Sequence, residues 1–145
     1  MLKILFLLQL VATIFMTGAI WVIQVVHYPL FVRVGAVVFR DYAAAHNTLI
    51  TYVVLLPMVV EAGLALLWLW QRPSPVPAWA AWVGLALVGV LWFSTFFLQS
   101  PQHGVLLRGF DGDAHRLLVN TNWLRTVAWS LRSALLLWVT ARLIG

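Results

Sequence analysis

Four histidines, His27, His46, His103 and His115, carry the most versatile side-chain chemistry in this chain. Neutral imidazole binds zinc, copper, iron and nickel, and it exchanges protons near neutral pH. It needs no thiolate beside it, which suits a sequence with no cysteine. Asp41, Asp111 and Asp113 stand near the histidines in sequence and offer carboxylates as ligands or as acceptors for ring N–H groups. Residue type alone leaves several chemistries open: iron or copper held by histidine and carboxylate, haem between two histidines, acid–base work without a metal, and hydrogen bonding to loop carbonyls and lipid headgroups. No H-x3-H or E-x2-H motif occurs, so only the fold can bring these residues together.

The elements that must do so are set by composition. The chain has 145 residues, of which 63% are hydrophobic and 9% charged, where a soluble domain has about 45–50% and about 25%. So little charge cannot cover so much apolar surface in water, which makes this an integral membrane protein. A soluble enzyme, a nucleotide-binding fold and a nucleic-acid module are excluded. The net charge of +5 comes from nine dispersed Lys and Arg residues that form no basic block, so anionic headgroups are the fitting counter-charge. The partners this allows are the lipid bilayer, a lipophilic small molecule and, in a homo-oligomer or membrane complex, another membrane chain.

A spanning helix needs about 20 mostly apolar residues, and four stretches qualify, at about 4–26, 43–70, 79–100 and 114–144. The first is too long for a signal peptide and no A-x-A site closes it. Proline and glycine punctuate the boundaries at Pro29, Pro73, Pro75, Pro77, Pro101, Gly109 and Gly112. The expected fold is an all-α up-down four-helix transmembrane bundle in a single domain, 1–145. The connector 28–42 is itself apolar, with Phe31, Val37 and Phe39 broken by Arg33 and Arg40, and reads as an interfacial segment or a lid over the bundle mouth. Lys3, Arg72 and Arg142 flank the terminus-bearing side, against Arg33, Arg40, Arg108 and Arg116 in about twice as much sequence on the other, and this density favours both termini in the cytoplasm; the expected location is the cell's inner or plasma membrane.

In such a bundle all four histidines fall at helix ends on one membrane face. Helical phase places His27, Gln24, Ile20, Thr13 and Gln9 on one stripe of span one, and His115, Leu118, Asn122, Arg125, Trp129 and Arg132 on one stripe of span four. Polar stripes must face the bundle interior. Glu61, the one acidic residue within a span, lies about 22 Å along the helix from His46, at the depth of Arg132. It is expected to form a buried pair with Arg132 that fixes register, or else an ion relay. A guanidinium at Arg125 needs an acceptor, for which Tyr52, a buried carbonyl or an anionic or phenolic ligand are candidates. There is also an internal echo. Gln24-x-x-His27-x-Pro29 followed by Asp41-x4-His46 parallels Gln99-Ser100-Pro101-x-His103 followed by Asp111-Gly112-Asp113-Ala114-His115, as two parallel repeats would.

The Pro29 and Pro101 turns, Asn47 at the head of span two, the turn Gln99-Ser100-Pro101-Gln102-His103 and above all Asn122-Trp123-Leu124-Arg125-Thr126 carry a family resemblance. They resemble the small four-span membrane proteins grouped with fungal anthrone oxygenases, whose last helix has a similar N-x-x-R-T pattern. The resemblance covers most of the chain in order and spacing. It implies a four-helix membrane bundle and O2-dependent oxidation of a hydroxylated polycyclic anthrone to a quinone, and it makes Asn122 and Arg125 pocket residues.

The first functional expectation is therefore a membrane-bound oxidoreductase acting on a lipophilic phenol or quinone-like molecule. His27, His46, His103 and His115 would hold iron, copper or haem, and Asn122, Arg125 and Tyr52 would bind substrate. The second is a non-catalytic membrane component, a small transporter, haem or metal carrier or assembly subunit, in which the histidines and the Glu61–Arg132 pair are structural.

Overall fold

The computed structural model describes residues 2–73 and 75–144. Four helices account for nearly all of it: α1 (Leu2–Arg33), α2 (Ala36–Leu67), α3 (Ala78–Leu106) and α4 (Gly112–Ile144). Each is long and apolar enough to cross a membrane. A helix satisfies every backbone group within its own segment, which is what a chain this apolar needs in a medium without water. Consecutive helices are antiparallel and pack in a ring, α1 on α2, α2 on α3, α3 on α4 and α4 on α1. Exposed Leu, Val, Ile and Phe side chains cover the outside of all four. The protein is a multi-pass integral membrane bundle.

At 29 to 33 residues, the helices are about 44–50 Å long, more than the roughly 30 Å of a hydrocarbon core. That surplus corrects the expected connector. Residues 28–42 form no lid, because α1 continues to Arg33 and α2 begins at Ala36, leaving only Val34 and Gly35 between them. Phe31 and Phe39 are fully buried and meet edge to face at 6.2 Å, so they belong to the core. Leu30, Val32, Val37 and Val38 of the same stretch are exposed on the outer surface, as an interfacial position leaves them.

Pro29 and Pro101, expected to end their helices, lie inside them. A proline ring has no N–H and collides with the carbonyl four residues back. In both helices the chain accommodates this with one π-helical turn just before the proline. Tyr28 N–H bonds the Ile23 carbonyl, and Ser100 N–H bonds the Thr95 carbonyl, five residues back in each case. Each π turn inserts one residue and so rotates the following side chains by about 100°. The two turns sit at matching places in the two hairpins.

The interior has two apolar layers. At the end that carries the termini, Phe6, Trp68, Ala80, Leu136 and Val139 pack together, with Phe6 stacked on Trp68 at 5.4 Å. Toward the other end, Met16, Ile20, Phe31, Leu91, Leu118 and Trp129 form the larger layer. Between them lies a polar layer centred on Glu61. Arg132 Nε–H donates to Glu61 Oε1 at 3.0 Å, Trp129 Nε1–H donates to Oε2 at 2.9 Å, and the Thr13 hydroxyl donates to Oε1. Arg132 also donates to the Gly84 carbonyl at 2.6 Å. One carboxylate and one guanidinium thus link all four helices. Gly84 permits the approach, because a Cβ there would come within 3.3 Å of the guanidinium.

Glu61→Leu should therefore cost about 3–5 kcal/mol, the usual consequence of leaving a buried charge without its partner. The double substitution Glu61→Leu with Arg132→Leu should cost less than the single one, because it removes the stranded cation. Unfolding midpoints in detergent micelles check both.

Candidate functional site

Beyond the larger apolar layer, at the end opposite the termini, the bundle closes on imidazole and phenol rings. His27 ends the π turn of α1, and His46 lies on the facing side of α2. Their rings meet through a hydrogen bond between His27 Nε2 and His46 Nδ1, 2.8 Å long. Only one proton fits between two such nitrogens, so one ring donates and its partner accepts. The second nitrogen of His46, Nε2, is buried and has no hydrogen-bond partner. On that ring's other side His103 of α3 stacks with centroids 5.6 Å apart. His103 Nε2 in turn is 3.0 Å from the Tyr28 hydroxyl.

His115 stands apart from this row. Its Nε2–H donates to the Tyr28 backbone carbonyl at 2.8 Å, pinning the start of α4 to α1, and its ring stacks on the far side of Phe31. The four histidines share a face of the bundle but do not surround one point. Among the described residues no group of three or more His, Asp or Glu side chains is placed to hold a metal ion. The nearby aspartates are committed elsewhere or face outward. Asp111 caps α4 by accepting from the N–H groups of Asp113 and Ala114, Asp113 pairs with Arg116, and Asp41 is exposed.

Beneath this row lies a polar network between α1 and α4. Asn122 Nδ2 donates to Gln24 Oε1 at 2.8 Å, and Gln24 Nε2 donates to the Val119 carbonyl at 3.1 Å. Arg125 donates to Asn122 Oδ1 at 3.3 Å, faces the Tyr28 hydroxyl, and lies over the Trp129 ring at 5.3 Å. Trp129 is the same indole that donates to Glu61. Side-chain contacts therefore run without a break from His27 to Arg132. Asn122 and Arg125 are buried at 0% and 5% exposure and do not line the groove described next. Their hydrogen bonds tie α4 to α1 through Gln24.

Tyr52, the third expected substrate residue, is not the acceptor of Arg125 and instead lines a depression between α1 and α2 beside Val53 and Leu56. It is 76% exposed and far from Arg125, because six residues beyond His46 the helix has turned about 240° from the inward face. Tyr28, by contrast, was missed. It is buried beside Arg125 and His103. The signal was present as the buried triplet Gln24, Tyr28 and Phe31, spaced i, i+4, i+7.

A groove of about 870 Å³ runs between α1 and α2. Ile14, Phe15, Gly18 and Val22 line it on one side and Leu49 and Val53 on the other, and it ends on His27, Tyr42 and His46. It opens sideways through the apolar outer surface, in the direction of the bilayer. The arrangement is an apolar slot with a hydrogen-bonded histidine pair at its head. Compared with known protein families, curated proteins and solved structures, the chain matches none.

Tyr28→Phe should keep the bundle intact and leave His103 Nε2 without its partner in a part-buried site. The expected cost is about 1–3 kcal/mol, read as a lowered unfolding midpoint with unchanged helical circular dichroism.

Proposed function

We propose that this protein is a membrane-bound oxidoreductase of the oxygenase type, acting on a lipophilic phenol or quinone-like molecule that enters the α1–α2 groove from the bilayer. The observation that carries the proposal is the groove's end, where an apolar slot stops at the His27–His46 pair. An aromatic ring gains contact with the apolar walls, and its hydroxyl reaches an imidazole nitrogen. A neutral imidazole in a site shielded from water is a competent general base, and the second imidazole stabilises the proton it takes up. The phenolate so formed is the electron-rich species that reacts with dioxygen. In the anthrone case suggested by the family resemblance, CH2 becomes C=O, one oxygen atom enters the carbonyl and the other leaves as water. His27 and His46 handle the protons, His103 and Tyr28 support the ring of His46, and Arg125 with Asn122 hold Tyr28.

One observation favours a second reading, with iron, copper or haem. The buried His46 Nε2 has no hydrogen-bond partner, and His103 lies against the same ring. Such a group would take His46 as a ligand and supply redox chemistry at the groove's head.

Oxygen uptake by the protein in lipid nanodiscs, with a hydroxylated anthrone and a hydroquinone as substrates, tests both. The metal-free reading expects turnover that survives chelation and falls about 10²–10⁴-fold in His46→Leu, the range typical of lost acid–base catalysis. Loss of turnover on chelation, together with stoichiometric metal or a haem absorption band, would establish the second reading. Saturable binding with no oxygen uptake would make the protein a non-catalytic carrier.

A further inference from the structure

The groove does not stop where a compact ring system would. A second depression of about 380 Å³ continues along the same α1–α2 seam, lined by Leu8, Val11, Leu56 and Val60 among others. Phe15 and Val53 line both, so the two are one seam. From His27 to Leu8 is 19 residues of one helix, about 28 Å, close to the roughly 30 Å thickness of the hydrocarbon core. A fused three-ring molecule fills only the histidine end of such a seam.

We propose that the occupant is a phenol or hydroquinone carrying a long hydrocarbon tail, with its ring at His27 and His46 and its tail lying down the α1–α2 seam past Phe15 and Val53. This rests on the phenol-binding reading of the histidine pair and adds the tail to it. Three features support that choice. The seam runs parallel to the helices, the direction in which membrane chains already lie, so a tailed molecule enters sideways without turning. Its head is formed by two hydrogen-bonded imidazoles, of which the half-buried His27 is the one open to a hydroxyl. Neither part of the seam is lined by Lys or Arg, so a phospholipid's phosphate finds no cation there, whereas a neutral hydroxyl head finds its partner.

Gly18 gives a clean handle on the seam. It is exposed on the groove, and a Cβ built there meets nothing within 4 Å. Gly18→Leu therefore fills the slot below the histidines without touching the core, and leucine is also the better helix former.

The test uses the full chain in nanodiscs and two photoreactive hydroquinones, one with a diazirine on a tailless ring and one with the diazirine at the end of a prenyl tail. Cross-linked residues are read by mass spectrometry. The ring probe should label Tyr42 and Ala45, and the tail probe should label Leu8, Val11, Leu56 and Val60. Gly18→Leu should abolish tail labelling at those positions and keep ring labelling, while His46→Leu should abolish both. Ring labelling at Tyr42 and Ala45 with tail labels scattered over the outer faces of α3 and α4 would overturn the tail and leave the phenol reading standing. Absence of ring labelling at the histidines would overturn the phenol reading, and the tail with it. Equal competition by a plain phospholipid, unaffected by His46→Leu, would show that the seam holds ordinary lipid and overturn the tail proposal.

Discussion

The bundle depends on the carboxylate of Glu61. In a hydrocarbon medium, apolar helix faces gain nothing by meeting one another rather than lipid, so packing detail and buried polar contacts must set which helix lies where. Glu61 on α2 accepts from Thr13 of α1 and from Trp129 and Arg132 of α4, and Arg132 reaches on to the Gly84 carbonyl of α3. A rotation or a one-turn slide of any of these helices leaves a charge or a donor unpaired, at a cost no apolar contact offsets. Register in all four helices follows from that layer.

The layer also divides the molecule by task. Toward the termini the interior is closed and apolar. Toward the other end the same indole that binds Glu61 supports Arg125, which lies near Tyr28, which meets His103. The ring row at the groove's head is therefore positioned from below by the structural layer. The α1–α4 side of this region is closed by the Gln24–Asn122 hydrogen bonds, whereas the α1–α2 side keeps an open slot. A binding site on such a bundle is expected where helices fail to close, and here that failure coincides with a histidine pair.

Proline placement links this geometry to the internal echo in the sequence. Pro29 and Pro101 each follow a π turn by the same spacing, so both hairpins rotate their first helix just before its end. In the first hairpin Tyr28, just after the turn, is buried in the core and His27 lies at the groove. In the second, Gln99 occupies the corresponding place and bonds Thr121, while His103, one turn further on, supplies the ring. The two hairpins share this backbone feature, while the side chains they carry there differ.

Much was legible in the sequence because a bilayer permits few solutions. Composition required spanning helices, their number followed from apolar run length, and helical phase identified the stripe of Gln24, Asn122, Arg125 and Arg132 as inward. The matching depths of Glu61 and Arg132 pointed to their pairing, since two buried charges at one level have no better partners. What phase could not supply was anything altered by an inserted residue. A single π turn changes direction by about 100°, and no periodicity computed for a regular helix contains it. Nor could it separate His115 from the other three histidines, because which ring nitrogen meets which neighbour depends on contacts between helices about 90 residues apart in the chain. The sequence by itself determined that the protein is a membrane bundle with its few polar groups turned inward. Only the tertiary structure decided that three of its histidines and Tyr28 form one row, and that the row heads an open seam, because both follow from how closely α1 and α2 approach.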